Sequence, residues 1–432
     1  MLSPSLLFTL VFAAALLAGL ALKFWLATRQ VRHVARHRDA VPAAFAARIP
    51  LAAHQKAADY TIARTRFGLL QLAFGTAVLL GWTLLGGLDA LNRLLLDALG
   101  GGMRQQLALL AAFALIGGLL ELPLQLYQTF VLEERHGFNR MTWRLWLADL
   151  LKSTLLGALI GLPLAALVLW LMQAAGGWWW LWAWAVWMGF NLLFMVVYPL
   201  FIAPLFNRFQ PLEDEALRAR VTALMQRCGF SAKGLFVMDG SRRSAHANAY
   251  FTGFGAAKRV VFYDTLLRQL SPPQVEAVLA HELGHFHHRH IARRLVGLFA
   301  LSLVGFALLG WLATQSWFYT GLGVVPNLSL DGSAPNDALA LLLFLLAAPA
   351  FTVFLTPLLA QWSRRHEFQA DAYAAAQADG GQLAAALLTL YEDNASTLTP
   401  DPIYARFYFS HPPAAERLAR LPAASEPSPT TP

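Results

Sequence analysis

The segment 281–285 reads His-Glu-Leu-Gly-His, and its residue types and spacing could do chemistry. On a helix, residues four apart share one face, so the imidazoles of His281 and His285 can reach one metal ion. Glu282 then lies beside that ion, where it can act on a water molecule. This spacing is typical of zinc peptidases, and a solvated helix face that spells the pattern by chance is the alternative.

A helix must carry this motif, and the residues before it predict one. Ser271 can cap its N-terminus, Pro272 suits the first helical position, and Gln274 can complete a capping box. Residues 274–280 continue the helical pattern into the motif. The motif is therefore expected on the last turns of a capped helix.

A catalytic zinc ion usually has three protein ligands and one open position, so a third ligand must come from elsewhere. Glu367 is the best candidate, because many zinc sites are built from two histidines and a glutamate. Asp371 lies one turn later on the same face and could hydrogen-bond a ligand histidine. The alternative is a solvated helix in which both carboxylates pair with Arg364 and Arg365.

Three more histidines, His287, His288 and His290, follow the motif directly. They could add ligands, but only one turn of helix can face the ion. We therefore predict that they form a hydrated polar face.

The rest of the chain is too apolar for a soluble enzyme. Of its 432 residues, 57% are hydrophobic and 13% are charged, whereas about a quarter of the residues in a soluble domain are charged. Seven apolar runs approach the ~20 residues that span a bilayer. These runs cover residues 6–27, 67–88, 107–130, 147–172, 178–205, 295–313 and 339–360. The first run is too long for a typical cleaved signal peptide, so we expect a retained anchor.

The basic residues predict the orientation in the membrane. Residues 29–66 carry eight lysines and arginines, whereas residues 314–337 carry none. The positive-inside rule then places the N-terminus outside, in the periplasm, and the polar segments in the cytoplasm. The net charge of +8 fits this placement, and nucleic acid is not expected as a partner because no binding module accompanies the charge.

The polar segments contain short strands beside the motif helix. A helix is expected over 211–229, and strands over 235–238, 247–252 and 259–263. An edge strand among them could accept an extended peptide by strand addition. We divide the chain into a membrane region at 1–206 with five spans, a zinc metalloprotease domain at 207–421 with two further spans, and a tail at 422–432 whose composition predicts disorder.

Five further motifs make nearly the whole chain resemble the type I CAAX prenyl endopeptidases, which are integral-membrane zinc metalloproteases of the gluzincin kind. They are Glu-Glu-Arg-His-Gly-Phe-Asn at 133–139, Tyr-Pro-Leu-Phe-Ile-Ala-Pro-Leu-Phe-Asn at 198–207, Asn-Ala-Tyr-Phe-Thr-Gly at 248–253, Glu-Phe-Gln-Ala-Asp at 367–371 and Ser-His-Pro-Pro at 410–413.

The resemblance implies an α-helical integral membrane protein whose seven transmembrane helices enclose a chamber. A zincin-like α+β protease domain would lie on its cytoplasmic side, with one Zn²⁺ per chain held by His281, His285 and Glu367. The implied partners are the lipid bilayer and a peptide or protein substrate that can be lipidated. The oligomeric state is left open.

The composition and short tail suggest a bacterial member, and therefore a bacterial inner membrane. Bacteria generally lack protein prenylation, so the turnover of membrane proteins is an alternative to the cleavage of CAAX-type substrates.

The mechanism expected from this resemblance uses Glu282 as the general base that takes a proton from water and passes it to the leaving amine. His411 either donates a hydrogen bond to the developing oxyanion or is a turn histidine before two prolines. The substrate would pair with the strand formed by Asn248, Ala249, Tyr250 and Phe251. Arg364 would bind a substrate carboxylate or a lipid phosphate.

Two other classes of protein remain as alternatives. A site-2-type intramembrane protease also uses this motif, but it lies there inside an apolar span, whereas here arginines and histidines follow it. A non-enzymatic transporter would use the polar residues of the spans, Glu121, Gln125 and Asn191, but transport gives no reason for a zinc triad.

Overall fold

The computed structural model describes residues 2–231, 234–252, 259–327 and 334–421. The tail at 422–432 and Gly253 of the strand motif lie outside these ranges. The helices of the first half are α1 (Pro4–Arg36), α2 (Leu51–Trp82), α3 (Gly87–Leu99), α4 (Met103–Tyr127), α5 (Trp143–Ala174), α6 (Trp179–Val197) and α7 (Ala203–Phe206). Those of the second half are α8 (Glu215–Arg227), α9 (Asp264–Gln269), α10 (Pro272–His287), α11 (His290–Leu312), α12 (Ser316–Thr320), α13 (Asp337–Thr352), α14 (Thr356–Gln377), α15 (Gly380–Asp393), α16 (Pro402–Tyr408) and α17 (Ala414–Leu418).

Six helical segments of the described chain are long and apolar enough to cross a membrane. They are Pro4–Arg36, Met103–Glu133, Trp143–Ala174, Gly176–Phe206, His290–Leu312 and Asp337–Gln377. The pair α2 and α3, bent by 47°, provides a seventh span if it is counted as one. The predicted set of about seven spans is therefore confirmed.

The second span differs in detail from the run predicted at 67–88. Helix α2 begins much earlier, at Leu51, and ends at Trp82. Gly86 then adopts φ 77° and caps α3, a left-handed conformation that glycine adopts without steric cost. Apolar composition could not reveal this break, because leucines continue on both sides of it.

Buried apolar side chains hold the spans together at one end of the bundle. A single cluster joins Phe12 of α1, Leu109 of α4, Leu169 of α5, Leu309 of α11 and Leu343 of α13. Many other large apolar side chains are exposed on the outer surface, as a lipid-facing surface requires.

The polar part contains a four-stranded sheet of β1 (Phe209–Pro211), β2 (Gly234–Met238), β3 (Ala249–Thr252) and β4 (Arg259–Tyr263). The strand order is β1-β2-β4-β3, with β2 and β4 parallel and the two outer pairs antiparallel. Strand β3 is therefore an edge strand. Strand β1 was not predicted, and the helix expected from residue 211 begins at Glu215, because Pro211 belongs to β1 and Asp214 caps α8.

The sheet packs against the motif helix through a second apolar core. Val260 and Phe262 of β4 are fully buried in a cluster with Val275, Leu279 and Leu283 of α10. Helix α10 therefore packs one face against the sheet, and its opposite face carries His281 and His285.

Candidate active site

The motif helix begins as its sequence predicts. The backbone N–H of Ser271 donates to Oε1 of Gln274 at 2.9 Å, which is one half of a capping box. Helix α10 then runs to His287, so that His281 and His285 lie one turn apart on one face.

A second helix meets α10 closely enough to complete the site. A Cβ on Gly284 would lie 2.9 Å from Cα and 3.1 Å from the carbonyl oxygen of Ala370 in α14. Only glycine allows the two helices to approach this closely. The contact brings Glu367, one turn before Ala370, to the histidines.

Three side chains with potential ligand atoms converge at this crossing. Nε2 of His281 lies 3.3 Å from Nε2 of His285. Nε2 of His281 lies 3.5 Å from Oε2 of Glu367, and Nε2 of His285 lies 3.5 Å from Oε1 of the same carboxylate. Among the described residues, these three form the one group of at least three histidine, cysteine or carboxylate side chains that could hold a metal ion.

The hydrogen bonds of His281 fix which of its nitrogens carries a proton. Nδ1 lies 2.8 Å from Oδ1 of Asp371, so Nδ1 donates and Nε2 is the nitrogen that faces Glu367 and His285. Asp371 is held in turn by Arg417, whose Nε donates to Oδ2 at 2.8 Å. All three side chains are buried.

His285 is oriented by a relay that the sequence did not reveal. Its Nδ1 lies 3.0 Å from Nδ1 of His290, and Nε2 of His290 lies 2.8 Å from Oε1 of Gln369. Because the glutamine oxygen can only accept, the relay runs from His285 to His290 to Gln369 and leaves Nε2 of His285 unprotonated. His290 is only 4% exposed, so its assignment to a hydrated face was wrong. Arg289, with φ 55°, makes the turn that brings it back to α10.

The charges around the cluster favour a cation. Glu282, Glu367 and Asp371 surround the cluster together with the guanidinium of Arg417. Against the effect of burial, hydrogen bonds to Asp371 and Glu367 raise the pKa of His281 to about 9, so its imidazole carries a proton that a bound cation would replace. Burial raises the pKa of Glu282, and burial together with the neighbouring His281 lowers the pKa of His285 to about 4. His285 is therefore neutral at pH 7 and offers a lone pair, while the excess negative charge would be neutralised by a divalent ion.

Of the other predicted site residues, His411 lies beside this cluster, whereas Arg364 makes a contact elsewhere. His411 is exposed, and its Nε2 lies 3.5 Å from Oε1 of Glu367, so it borders the site. Arg364 is buried, and its Nη2 donates to the backbone carbonyl of Arg406 at 3.4 Å. These contacts do not favour the predicted binding of a substrate carboxylate by Arg364.

The predicted substrate strand lies at the sheet edge, where a peptide could pair with it. Backbone N–H of Tyr263 donates to the carbonyl of Asn248 at 3.0 Å, so Asn248 and Tyr250 turn their backbone groups toward β4. Ala249 and Phe251 turn theirs toward the outer edge, although the Ala249 N–H is bonded to Oδ1 of Asn248 at 2.8 Å. No described strand pairs with that edge.

The chain just before β3 is anchored by the segment 133–139. Backbone N–H of Ala245 donates to the carbonyl of Phe138 at 3.1 Å, and the ring of Phe138 stacks on His246 at 4.3 Å. From the other side, Oδ1 of Asn394 accepts a hydrogen bond from the N–H of Ala247 at 3.1 Å. These contacts give the motif at 133–139 a structural role in holding the edge strand.

A cavity of about 950 Å³ lies within the helices beside the cluster, and Ser410 and His411 line part of it. The predicted chamber therefore has a counterpart among the described residues.

Four residues of the site were missed by the sequence reasoning: His290, Gln369, Asn394 and Arg417. The position of His290 nine residues after His281 was a usable signal, because a turn after the motif helix can return a side chain to it. Arg417 carries no comparable local signal, since it reads as an ordinary polar residue of a short helix.

Comparisons with known proteins agree with this geometry. Residues 30–208 match the family described as CAAX prenyl protease N-terminal, five membrane helices, and residues 211–425 match peptidase family M48. A rice protein, CAAX prenyl protease 1 homolog, is 36% identical over 78% of this chain and 75% of its own length. CAAX prenyl protease 1 of Saccharomyces cerevisiae is 37% identical over 74% of this chain and 73% of its own.

The same architecture occurs in a solved structure. The crystal structure of Ste24p from S. mikatae superposes with a TM-score of 0.89 and 30% sequence identity, covering 96% of this chain and 98% of that one. Both the membrane helices and the protease domain are thus shared. The chain belongs to the CAAX prenyl protease 1 family and is a membrane-embedded metalloprotease of the M48 peptidases.

Proposed function

We propose that this chain is a zinc-dependent endopeptidase that hydrolyses peptide bonds near the C-terminus of CAAX-type, prenylated substrates. The observation that carries the proposal is the convergence of His281, His285 and Glu367 within 3.5 Å. The substrate class is supported by relatives named CAAX prenyl protease 1.

Zinc fits the donor set. Two nitrogens and one carboxylate around a tetrahedral ion, with bonds of about 2.0–2.1 Å, would be separated by about 3.4 Å. Here the two nitrogens are 3.3 Å apart, and each lies 3.5 Å from a different carboxylate oxygen of Glu367. Oε2 of Glu367 is also buried without a hydrogen-bond partner among the described residues, which a coordinated cation would remedy.

Zinc, when bound, would supply the Lewis acidity that polarises the scissile carbonyl. Glu282 takes the proton of the attacking water and delivers it to the leaving amine. Its buried position, which raises its pKa, brings its basicity closer to that needed near neutral pH. His411 borders the cluster and is positioned to donate to the developing oxyanion.

The substrate backbone would add to the outer edge of β3. Ala249 and Phe251 would provide the pairing groups, with the Ala249 N–H exchanging its bond to Asn248 for one to the peptide. Such pairing fixes the register of the peptide relative to the ligands, while the side chains of the substrate remain free to vary.

The test is mass spectrometry of the products from a farnesylated CAAX peptide and its unprenylated twin, with Glu282→Gln as the matched control. We expect the wild-type protein to release the C-terminal fragment of the farnesylated peptide. Glu282→Gln should keep stoichiometric zinc and lose about 10²–10⁴-fold in activity.

Wild-type activity in the zinc-loaded variant would reject the role of Glu282. Equal cleavage of both peptides would reject a prenyl-specific site and leave the turnover of membrane proteins as the function of the same chemistry.

We further propose that the N-terminus lies in the periplasm and the protease domain (207–421) in the cytoplasm of a bacterial cell, with residues 1–206 as the membrane region. The distribution of lysine and arginine supports the orientation, and composition alone supports the bacterial membrane, since the relatives named above are eukaryotic. The hydroxyls of Ser5 and Thr320 are 2.7 Å apart, so the start of α1 and the short helix α12 lie on the same side of the bundle.

The orientation can be tested with single cysteines after Cys228→Ser has removed the only natural one. An impermeant maleimide should label Thr314→Cys in intact cells and Glu213→Cys only after permeabilisation. The reverse pattern would invert the proposed orientation.

A further inference from the structure

The cavity beside the metal-ligand cluster contains positive charge that the mechanism does not use. Arg64 of α2 and Lys23 of α1 both line it. Among the described residues, neither forms an ion pair, whereas Arg29 is bound to Asp401 at 2.9 Å and Arg38 to Asp59 at 2.7 Å. Both cations line the cavity without a direct ion pair, although Arg64 also interacts with the Tyr60 hydroxyl and with the more distant Glu133 carboxylate.

The two cations lie at different depths in the cavity. Tyr60, Arg64, Gly68 and Gln71 follow helical spacing and line the cavity as one stripe. The Tyr60 hydroxyl donates to Glu133 at 2.8 Å, beside the segment that anchors β3, so this end of the stripe faces the protease domain. Arg64 lies about 6 Å farther along the helix, and Gln71 lies about 16 Å farther.

Lys23 belongs to the deeper end of the cavity. It shares with Gln71 the boundary between the main cavity and a smaller one of about 290 Å³. Arg64 is therefore the cation nearer to the site. His411 links the same cavity to the ligand cluster, because its Nε2 is 3.5 Å from Glu367.

A cation that lines a cavity inside a membrane bundle and has no direct ion pair favours an anion from outside the chain. A guanidinium is suited to a carboxylate, because its planar fork can donate two parallel hydrogen bonds. A peptide that is cleaved near its end brings such a group, its own C-terminal carboxylate, into the space beside the site.

We propose that Arg64 binds the C-terminal carboxylate of the substrate, so that the enzyme selects peptides with a free C-terminus. This assignment rests on the proposed endopeptidase function and adds a specificity determinant to it. The segment released by cleavage would occupy the cavity between His411 and Arg64, and its length would be limited by the distance between the ligand cluster and that arginine.

The experiment compares one farnesylated CAAX peptide as the free acid and as the C-terminal carboxamide, with kcat/KM measured from the released fragment. The wild-type protein should prefer the acid by about tenfold or more, the effect of one charge-assisted hydrogen bond. Arg64→Gln should cleave acid and amide with the same kcat/KM, and Arg64→Lys should recover part of the preference.

Arg66→Gln is the matched control, since Arg66 lies on the same helix, is exposed and is outside the cavity lining. It should keep the wild-type preference for the acid. Zinc content and gel filtration of each variant establish that the fold and the metal site are intact.

Three results would overturn the proposal. Equal cleavage of acid and amide by the wild-type protein would reject carboxylate recognition while leaving the peptidase function intact. A parallel loss on both peptides in Arg64→Gln would indicate another anion, such as a lipid phosphate. Loss of the preference in Lys23→Gln but not in Arg64→Gln would move the site to the deeper cation. Failure of the wild-type protein to cleave either peptide would instead reject the proposed function.

Discussion

Each ligand histidine depends on a single acceptor behind it. Nδ1 of His281 faces Asp371 at 2.8 Å, and Nδ1 of His285 faces His290 at 3.0 Å. These partners differ in kind, because one is a charged carboxylate and the other a neutral imidazole. The His281 side therefore carries most of the electrostatic support, whereas the His285 side depends on geometry.

His290→Ala should weaken zinc binding by about 10–100-fold, the usual effect of losing the partner behind a metal-ligand histidine. Competition with a chelator of known affinity would measure the change. His287→Ala is the control, because His287 is exposed and stacks on Tyr373 at 4.6 Å without touching the ligands. Equal zinc affinity in the two variants would remove His290 from the relay.

Glu367→Ala should lose zinc altogether, since two histidines alone do not make a lasting site. Elemental analysis of the purified protein after dialysis would report the metal content. Glu367→Asp, which keeps the carboxylate but shortens its reach, should retain an intermediate amount. Stoichiometric zinc in the alanine variant would exclude Glu367 as a ligand.

At this scale the sequence was most informative where chemistry follows helical periodicity. The spacing of His281 and His285, and of Glu367 and Asp371, is set within one helix and can be read directly. Arg417 binds Asp371 across 46 residues, and only the tertiary fold creates that contact. Local sequence patterns cannot predict a contact between residues so far apart in the chain.

The crossing of α10 and α14 determines whether the ligands meet. Gly284 is the point of closest approach, and a side chain there would collide with the backbone of Ala370. A backbone cannot turn aside as a flexible side chain can, so the two helices would have to separate.

Gly284→Ala should therefore cost about 1–3 kcal/mol in stability and lower zinc occupancy by moving Glu367 away from the histidines. Thermal unfolding and metal analysis would measure both effects. Gly305→Ala is the matched control, since its Cβ would meet nothing within 4 Å, and alanine is the better helix former. Identical behaviour of the two variants would contradict a tight crossing.

The strands show why some elements escape prediction. Strands β2, β3 and β4 have the apolar, β-branched or aromatic residues that favour sheets. Strand β1 has three residues, Phe209–Pro211, and pairs with β2 at the outer edge. A proline-containing segment this short is indistinguishable from a loop until its partner is known.

For the whole molecule, apolar composition predicted the number of membrane spans well. It predicted the residues at which the spans end less well. The seventh run was expected at 339–360, with a separate polar segment after it. Helices α13 and α14 are instead joined by the 3₁₀ turn Val353–Leu355 into one helical segment from Asp337 to Gln377. Hydropathy indicates where a helix leaves the lipid. It cannot show whether the helix continues into water beyond that point.

This long segment connects the third ligand, Glu367, mechanically to the part of the helix that crosses the membrane. Its 41 residues extend about 60 Å, twice the ~30 Å of the hydrocarbon core. Glu367 lies about 17 Å beyond Thr356, so a tilt of about 5° at that level would displace its carboxylate by about 1.5 Å. Metal sites tolerate only about 0.2 Å in their bond lengths.

The thickness of the surrounding bilayer, which influences helix tilt, should consequently change the metal affinity of a site that lies outside the lipid. Zinc dissociation constants in nanodiscs of short and long acyl chains would measure this coupling. We expect the zinc affinity to be highest at one bilayer thickness. A constant affinity across the series would mean that the helix bends between the membrane and Glu367.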